Sequence, residues 1–174
     1  PDQLSEIYRQ LRAFIDSQQA VSVKPMKGDP PEQYEVTYNI SGFSKPGKGE
    51  PYLTTGHKIE MTIPFGFPHF PPSCKPKNDI FHPDFDPAAI CLGDFWHQHR
   101  KISDLIVFFF KLINGESYST SNAFNEQAAS WYQKHSDVFP IAEILWNENS
   151  DDKLGTADTA SSEIDTLDDD DLSP

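Results

Sequence analysis

Cys91 is the residue of this chain with the most chemistry to offer. It stands near the end of the stretch Phe81-His82-Pro83-Asp84-Phe85-Asp86-Pro87-Ala88-Ala89-Ile90-Cys91-Leu92. A thiolate is a strong nucleophile, and a thioester on it exchanges readily with another thiol. Pro83 and Pro87 suit a rigid, irregular loop that presents the thiol near the surface. The same cysteine, set between Ile90 and Leu92, also fits an inert apolar core position, because unpaired cysteines are often buried. Cys74 lies between Pro72 and Pro76 and reads as a structural residue of a strand. There is no Cys-x-x-Cys, and the two cysteines do not suggest a disulfide framework. His82, Asp84, Cys91, His97 and His99 are zinc ligands by type, but His97-x-His99 is not a paired metal spacing, so no metal or other cofactor is expected. No His-Asp pair at a defined spacing follows Cys91, which weighs against a hydrolase triad.

The elements that must hold this stretch can be read from periodicity. Leu4, Ile7, Tyr8, Leu11, Phe14 and Ile15 recur at three- and four-residue steps and predict an amphipathic helix. Val21 and Val23 suggest a short strand. Gly28-Asp29-Pro30-Pro31 breaks the chain, and Tyr34, Val36, Tyr38 and Ile40 alternate as a half-buried strand. Lys45-Pro46-Gly47-Lys48-Gly49 marks a loop. Ile59, Met61 and Ile63 alternate again, and the short breaks between strands imply an antiparallel meander. Prolines at 64, 68, 71, 72, 76, 83 and 87 then forbid a helix or a continuous central strand, and predict extended coil tied down by aromatic residues. Ser103 is the expected N-cap of a helix to Ile113, with Leu105, Ile106, Phe109, Leu112 and Ile113 inward and Gly115 ending it. A second helix is expected from the region of Asn122 to Glu126 through Tyr132, and a final one over 138–146. Strands in one run and helices in another define an α+β domain with helices on one face of the sheet.

Net charge confines the partners. The chain of 174 residues carries −13. Residues 147–174 hold ten acids against Lys153, so −9 lies there and −4 on residues 1–146. An acidic chain is not expected to bind nucleic acid. The last 28 residues read as a solvated, disordered acidic tail, and residues 1–146 as the folded domain. No apolar run approaches a membrane span, and no signal-peptide pattern opens the chain. A cytoplasmic, reducing setting is expected, where a working thiol stays free.

The order of Ile63-Pro64, Phe67-Pro68-His69-Phe70-Pro71-Pro72, His82-Pro83…Ile90-Cys91-Leu92 and Asn125-Glu126-Gln127-Ala128-Ala129-Ser130-Trp131-Tyr132 resembles the ubiquitin-conjugating enzymes, the E2 family. The resemblance implies the UBC-like fold: an N-terminal helix, an antiparallel meander sheet, a Pro-rich active-site flap and C-terminal helices. It also implies that Cys91 takes a ubiquitin-like modifier from an E1 as a thioester and passes it to a target amine or an E3. The family's His-Pro-Asn is His82-Pro83-Asp84 here. A carboxylate cannot donate a hydrogen bond to an oxyanion, so Asp84 reads as a loop-capping acceptor, with His97 or His99 as alternative donors. The interval to the cysteine is one residue shorter than in most members, and Ala88-Ala89 replaces the usual glycine. His82 is expected to be structural, its ring bonded to backbone. The family's acid in the loop before the C-terminal helices corresponds by count to Asn122, which is no base; Asn122 is either that position or a helix N-cap, with Asp94, Glu116 or a partner left to assist lysine. The resemblance further implies that Phe67, His69 and Phe70 with the first helix, bearing Arg9 and Arg12, contact E1 and E3; the alternative is that these aromatics merely pack.

Two other readings stay open. One is a catalytically weak or inactive module of the same fold that binds ubiquitin-like proteins, which Asp84 and Asn122 favour and Cys91 disfavours. The other concerns the tail: Ile164 and Leu167 beside Asp168–Asp171 resemble the strands that add to a SUMO-like sheet edge, although acidic linkers are far commoner.

Overall fold

The computed structural model describes residues 2–142 and Trp146. Helix α1 (Gln3–Ile15) starts where the Asp2 carboxylate accepts the Leu4 N–H at 3.2 Å, and it buries Ile7, Leu11 and Ile15 at four-residue steps. Strands β1 (Val21–Gly28), β2 (Pro31–Tyr38), β5 (His57–Thr62) and β6 (Ser73–Pro76) form one antiparallel sheet in the order β1-β2-β5-β6. The inward residues Tyr34, Val36 and Tyr38 of β2 and Ile59 and Met61 of β5 are fully buried. They share one core with α1 and with helix α2 (Ile102–Ile113), whose Leu105, Ile106, Phe109, Leu112 and Ile113 all point inward as expected. The Tyr38 hydroxyl donates to the Ile106 carbonyl at 2.7 Å, so β2 and α2 are joined by a buried bond as well as by packing.

The α+β architecture expected from sequence is the one found, with several local differences. A small hairpin, β3 (Gly42–Ser44) with β4 (Tyr52–Thr54), flanks the Lys45–Gly49 loop and had no periodic signal, since each strand is only three residues long. The strand expected around Cys74 is present as β6, which the prolines tolerate because it is an edge strand. Ser103 is not the cap of α2. Lys101 holds that position, and its N–H is accepted by the Asp104 carboxylate at 2.8 Å. Helix α3 (Glu126–Lys134) has Asn125 as its N-cap, Oδ1 accepting from Ala128 N–H, so Asn122 is not a cap. After α3 there is a short 3-10 turn, Ser136–Val138, and no helix over 139–142, because Pro140 forces Phe139 into extended backbone. The rest of the expected final helix, Trp146 apart, and the whole acidic tail lie outside the described residues. Trp146 stacks on Phe14 and meets Phe110 edge-on, and the Asn114 amide donates to the Ala142 carbonyl.

A second cluster underlies the site. Phe43, Phe81, Ala128 and Tyr132 are buried together, with Tyr118, Trp131 and Phe139 against them. It fixes α3 beneath the segment that leads to Cys91.

Candidate active site around Cys91

The chain reaches Cys91 through a tight hairpin. Strands β7 (Phe85–Asp86) and β8 (Ala89–Ile90) pair Phe85 with Ile90 and Asp86 with Ala89. The Asp86 carboxylate accepts the Ala88 N–H at 2.9 Å and shapes the Pro87-Ala88 turn, a bond that an aspartate is suited to make. One step further, the Cys91 N–H donates to the Asp84 carbonyl at 2.8 Å. The backbone position of Cys91 is therefore set by Asp84. Phe85 and Ile90 anchor one face in the core while Cys91 itself is half-buried.

The His82-Pro83-Asp84 turn is in turn clamped to the loop before α3. His82 is fully buried. Its Nδ1 accepts the Asp84 N–H at 2.9 Å, so the ring proton lies on Nε2, which donates to the Ser117 carbonyl at 3.0 Å. Burial holds His82 down to about 4, against the opposing pull of the Asp84 carboxylate at 3.7 Å, so the ring is neutral and its tautomer fixed. The Asp84 Oδ2 accepts the Ser119 N–H at 3.0 Å, and the Pro83 carbonyl accepts the Asn125 N–H at 2.9 Å. The Tyr132 hydroxyl, its phenol held protonated by burial, donates to the Phe81 carbonyl at 2.7 Å. Two strands of chain thus share a set of bonds around the thiol-bearing hairpin. The other Asp84 oxygen, Oδ1, is buried and has no hydrogen-bond partner among the described residues. Asp84 is thus an acceptor that braces the 117–119 segment.

The other sequence-selected residues fall into two groups. Asn122 is exposed, at φ 54°, a left-handed conformation that asparagine tolerates, and its side chain makes no hydrogen bond among the described residues. Cys74 sits on β6 with its thiol toward the Pro72 carbonyl at 3.7 Å, and burial pushes that thiol up. In the Pro-rich stretch, Phe67 packs on Trp96 while its carbonyl accepts from Gln3 of α1 at 3.2 Å. Trp96 donates to the Pro68 carbonyl, and Arg100 lies 4.2 Å over the Phe95 ring, which stacks on Phe108 of α2. The start of α1, the Pro-rich loop and the segment after Cys91 thereby form one continuous surface. His69 and Phe70 are exposed on it. Arg9 is exposed and Arg12 half-buried, and both are engaged, with Glu6 at 2.7 Å and Asp16 at 2.8 Å. Phe65 was missed from sequence although it is fully exposed; its place between Pro64 and Gly66 was the only hint. Ser117, Ser119 and Asn125 were also missed as site residues, because they act through backbone N–H and C=O groups, which carry no side-chain signature. No group of three or more metal-ligating side chains occurs among the described residues.

The fold agrees with the comparisons to known proteins. The profile of the ubiquitin-conjugating enzyme family matches residues 9–142. The chain belongs to that family. Its fold is similar to the crystal structure of a Plasmodium yoelii protein provisionally described as a ubiquitin conjugating enzyme, with a TM-score of 0.59 at 19% identity over 80% of this chain and 88% of that one. It is also similar to a structure described as a novel ubiquitin-conjugating enzyme, with a TM-score of 0.57 at 19% identity over 79% and 87%. At such identities the likeness speaks for the fold. No curated protein sequence matches the chain significantly.

Proposed function

We propose that this protein is an E2-type conjugating enzyme with Cys91 as its nucleophile, residues 1–146 forming the working domain. The Cys91 thiolate attacks the carbonyl of an E1-bound thioester of a ubiquitin-like modifier; a new C–S bond forms and the E1 thiolate leaves. A target amine, or an E3 thiol, then attacks that carbonyl, the C–S bond breaks, and the attacking group's proton is lost to solvent. A cytoplasmic setting suits a thiol that must stay reduced. The observation that carries the reading is the bracing of the Cys91 hairpin: its N–H is held by the Asp84 carbonyl, while Asp84 and His82 are tied to Ser119 and Ser117. A half-buried thiol on a fixed backbone suits a cargo that arrives as an extended protein tail. His82 acts as a positioning residue, since its neutral ring is spent on backbone bonds. Phe65, Phe67, His69 and Phe70 with α1 offer the surface for E1 or E3, and the paired Arg9 and Arg12 contribute less than free cations would.

The test is incubation with E1, ATP and a panel of ubiquitin-like proteins, resolved without reductant. A thiol-sensitive adduct is expected, and Cys91→Ser should turn it into a thiol-resistant oxyester or abolish it. A second reading, a binding module with a disused thiol, is favoured by the unpartnered Asp84 Oδ1 and by Asn122 standing where a base would serve. It predicts modifier binding with no adduct.

A further inference from the structure

We propose that Asn114 is a positioning residue for conjugation: its side chain fixes the turn whose Ser117 carbonyl orients His82, and through His82 the Cys91 hairpin. The inference rests on the reading of Cys91 as the nucleophile. Asn114 ends α2 and is fully buried. A buried amide is costly unless both of its ends are bonded. Both are: Oδ1 accepts the Glu116 N–H at 2.9 Å, and Nδ2 donates to the Ala142 carbonyl at 3.3 Å.

The end of α2 does not need that side chain. The Phe110 carbonyl accepts the Asn114 N–H, the Lys111 carbonyl the Ser117 N–H and the Leu112 carbonyl the Gly115 N–H, each at 3.1 Å. Backbone donors therefore close the last turn of the helix. The side chain serves the two segments on either side of it, the 115–117 turn and the chain at Ala142. Gly115 lets the turn form. Its φ is 87°, in the left-handed region, and a Cβ there would stand 3.0 Å from the Phe139 Cβ. Phe139 also meets the rings of Tyr118, Tyr132 and Phe43, so the chain leading to Ala142 lies against the turn.

From Asn114 the bonds run to the thiol-bearing residue. Asn114 holds the Glu116 N–H, and the next carbonyl, that of Ser117, accepts from His82 Nε2. His82 Nδ1 accepts the Asp84 N–H, and the Asp84 carbonyl accepts the Cys91 N–H. With the Glu116 and Ser117 N–H groups both held, the two peptide planes that lead up to the Ser117 carbonyl are fixed. Loss of the Asn114 side chain frees the first of them. The carbonyl that keeps the His82 proton on Nε2 then gains room to move, and the Asp84 backbone, which sets Cys91, loses its fixed acceptor. Both bonds of the Asn114 side chain are to backbone, so it acts on the reaction only through this sequence of bonds.

The test compares Asn114→Ala with Tyr38→Phe in the full chain. Each removes buried hydrogen bonding at α2, but the Tyr38 hydroxyl bonds the Ile106 carbonyl, outside the clamp. Three quantities are read: the urea midpoint, solvent exchange of the His82 Nε2–H proton by nitrogen-edited NMR, and single-turnover discharge of the loaded protein to free lysine. Both variants should lower the midpoint. Only Asn114→Ala should speed exchange of the His82 proton and slow discharge, by about fivefold. An unchanged His82 proton in Asn114→Ala, or equal slowing of discharge in Tyr38→Phe, overturns the proposal. Should Asn114→Ala not fold, amide exchange in the wild type carries the test: the Glu116 and Asp84 N–H groups should open together, below the free energy of global unfolding, and separate openings overturn it. The NMR readings need no thioester, so a Cys91 that does not load is told apart from an Asn114 that does not position.

Discussion

Acidification should loosen the clamp at His82 before it disturbs most of the core. The ring is fully buried, its Nδ1 already accepts the Asp84 N–H, and burial depresses it from the ordinary 6.5 to about 4. Between these values the unfolded chain binds a proton that the fold refuses. Stability is then fully present above the unfolded value and is lost as pH falls toward the folded one. Each pH unit in that window is worth about 1.4 kcal/mol, so descent from 6.5 to 5 removes about 2 kcal/mol through His82 alone. The buried His57, also depressed by burial, adds to the same slope. The groups that face His82 are the Asp84 carboxylate, the Ser117 carbonyl, the Leu112 backbone and the rings of Phe85 and Tyr132; the carboxylate and the backbone groups oppose the effect of burial without reversing its sign. Urea unfolding at about pH 7.5, 6.5 and 5 should show the midpoint falling with an unchanged slope in denaturant. His82→Gln keeps a donor toward Ser117 and cannot be protonated, so its stability should depend less on pH. A wild-type midpoint flat over this range, or a His82 ring resonance titrating near 6 in the folded protein, would refute the reasoning.

Three further outcomes are expected. Asp84→Asn keeps the acceptor for Ser119 and replaces the unpartnered Oδ1 with a donor, so single-turnover discharge to free lysine should rise by up to about tenfold with loading little changed; slower discharge would assign the carboxylate a positive role. Tyr34→Phe removes a buried hydroxyl with no partner among the described residues and should be neutral or stabilising, whereas Tyr38→Phe loses the buried bond to the Ile106 carbonyl and should cost about 1 kcal/mol, both read by chemical denaturation. Alkylation of the native protein followed by peptide mapping should label Cys91 well ahead of Cys74, whose thiol burial keeps protonated.

The sheet and the two main helices were legible because their faces repeat. Tyr34, Val36 and Tyr38 on β2, and Leu105 through Ile113 on α2, needed nothing but period two and period 3.6. What escaped was set by contacts rather than period. The cap of α2 is Lys101 because the Asp104 carboxylate folds back to its N–H, a bond whose side-chain partner lies inside the helix. The start of α3 is Asn125 because Asn122 takes a left-handed turn first. The His82, Asp84 and Cys91 stretch could be chosen by residue type. Their bracing by Ser117, Ser119 and the Asn125 N–H could not, since it runs through backbone atoms brought together across 35 residues or more. Phe65 looked like any core aromatic, and only its surroundings show it exposed.

The central claim is that Cys91 carries the modifier. Intact-mass spectrometry of the protein after incubation with E1, ATP and a ubiquitin-like protein, compared with Cys91→Ala and Cys74→Ala, tests it most directly. The account predicts one modifier added to the wild type and to Cys74→Ala, removed by thiol, and none on Cys91→Ala. An adduct that persists in Cys91→Ala and vanishes in Cys74→Ala would contradict it.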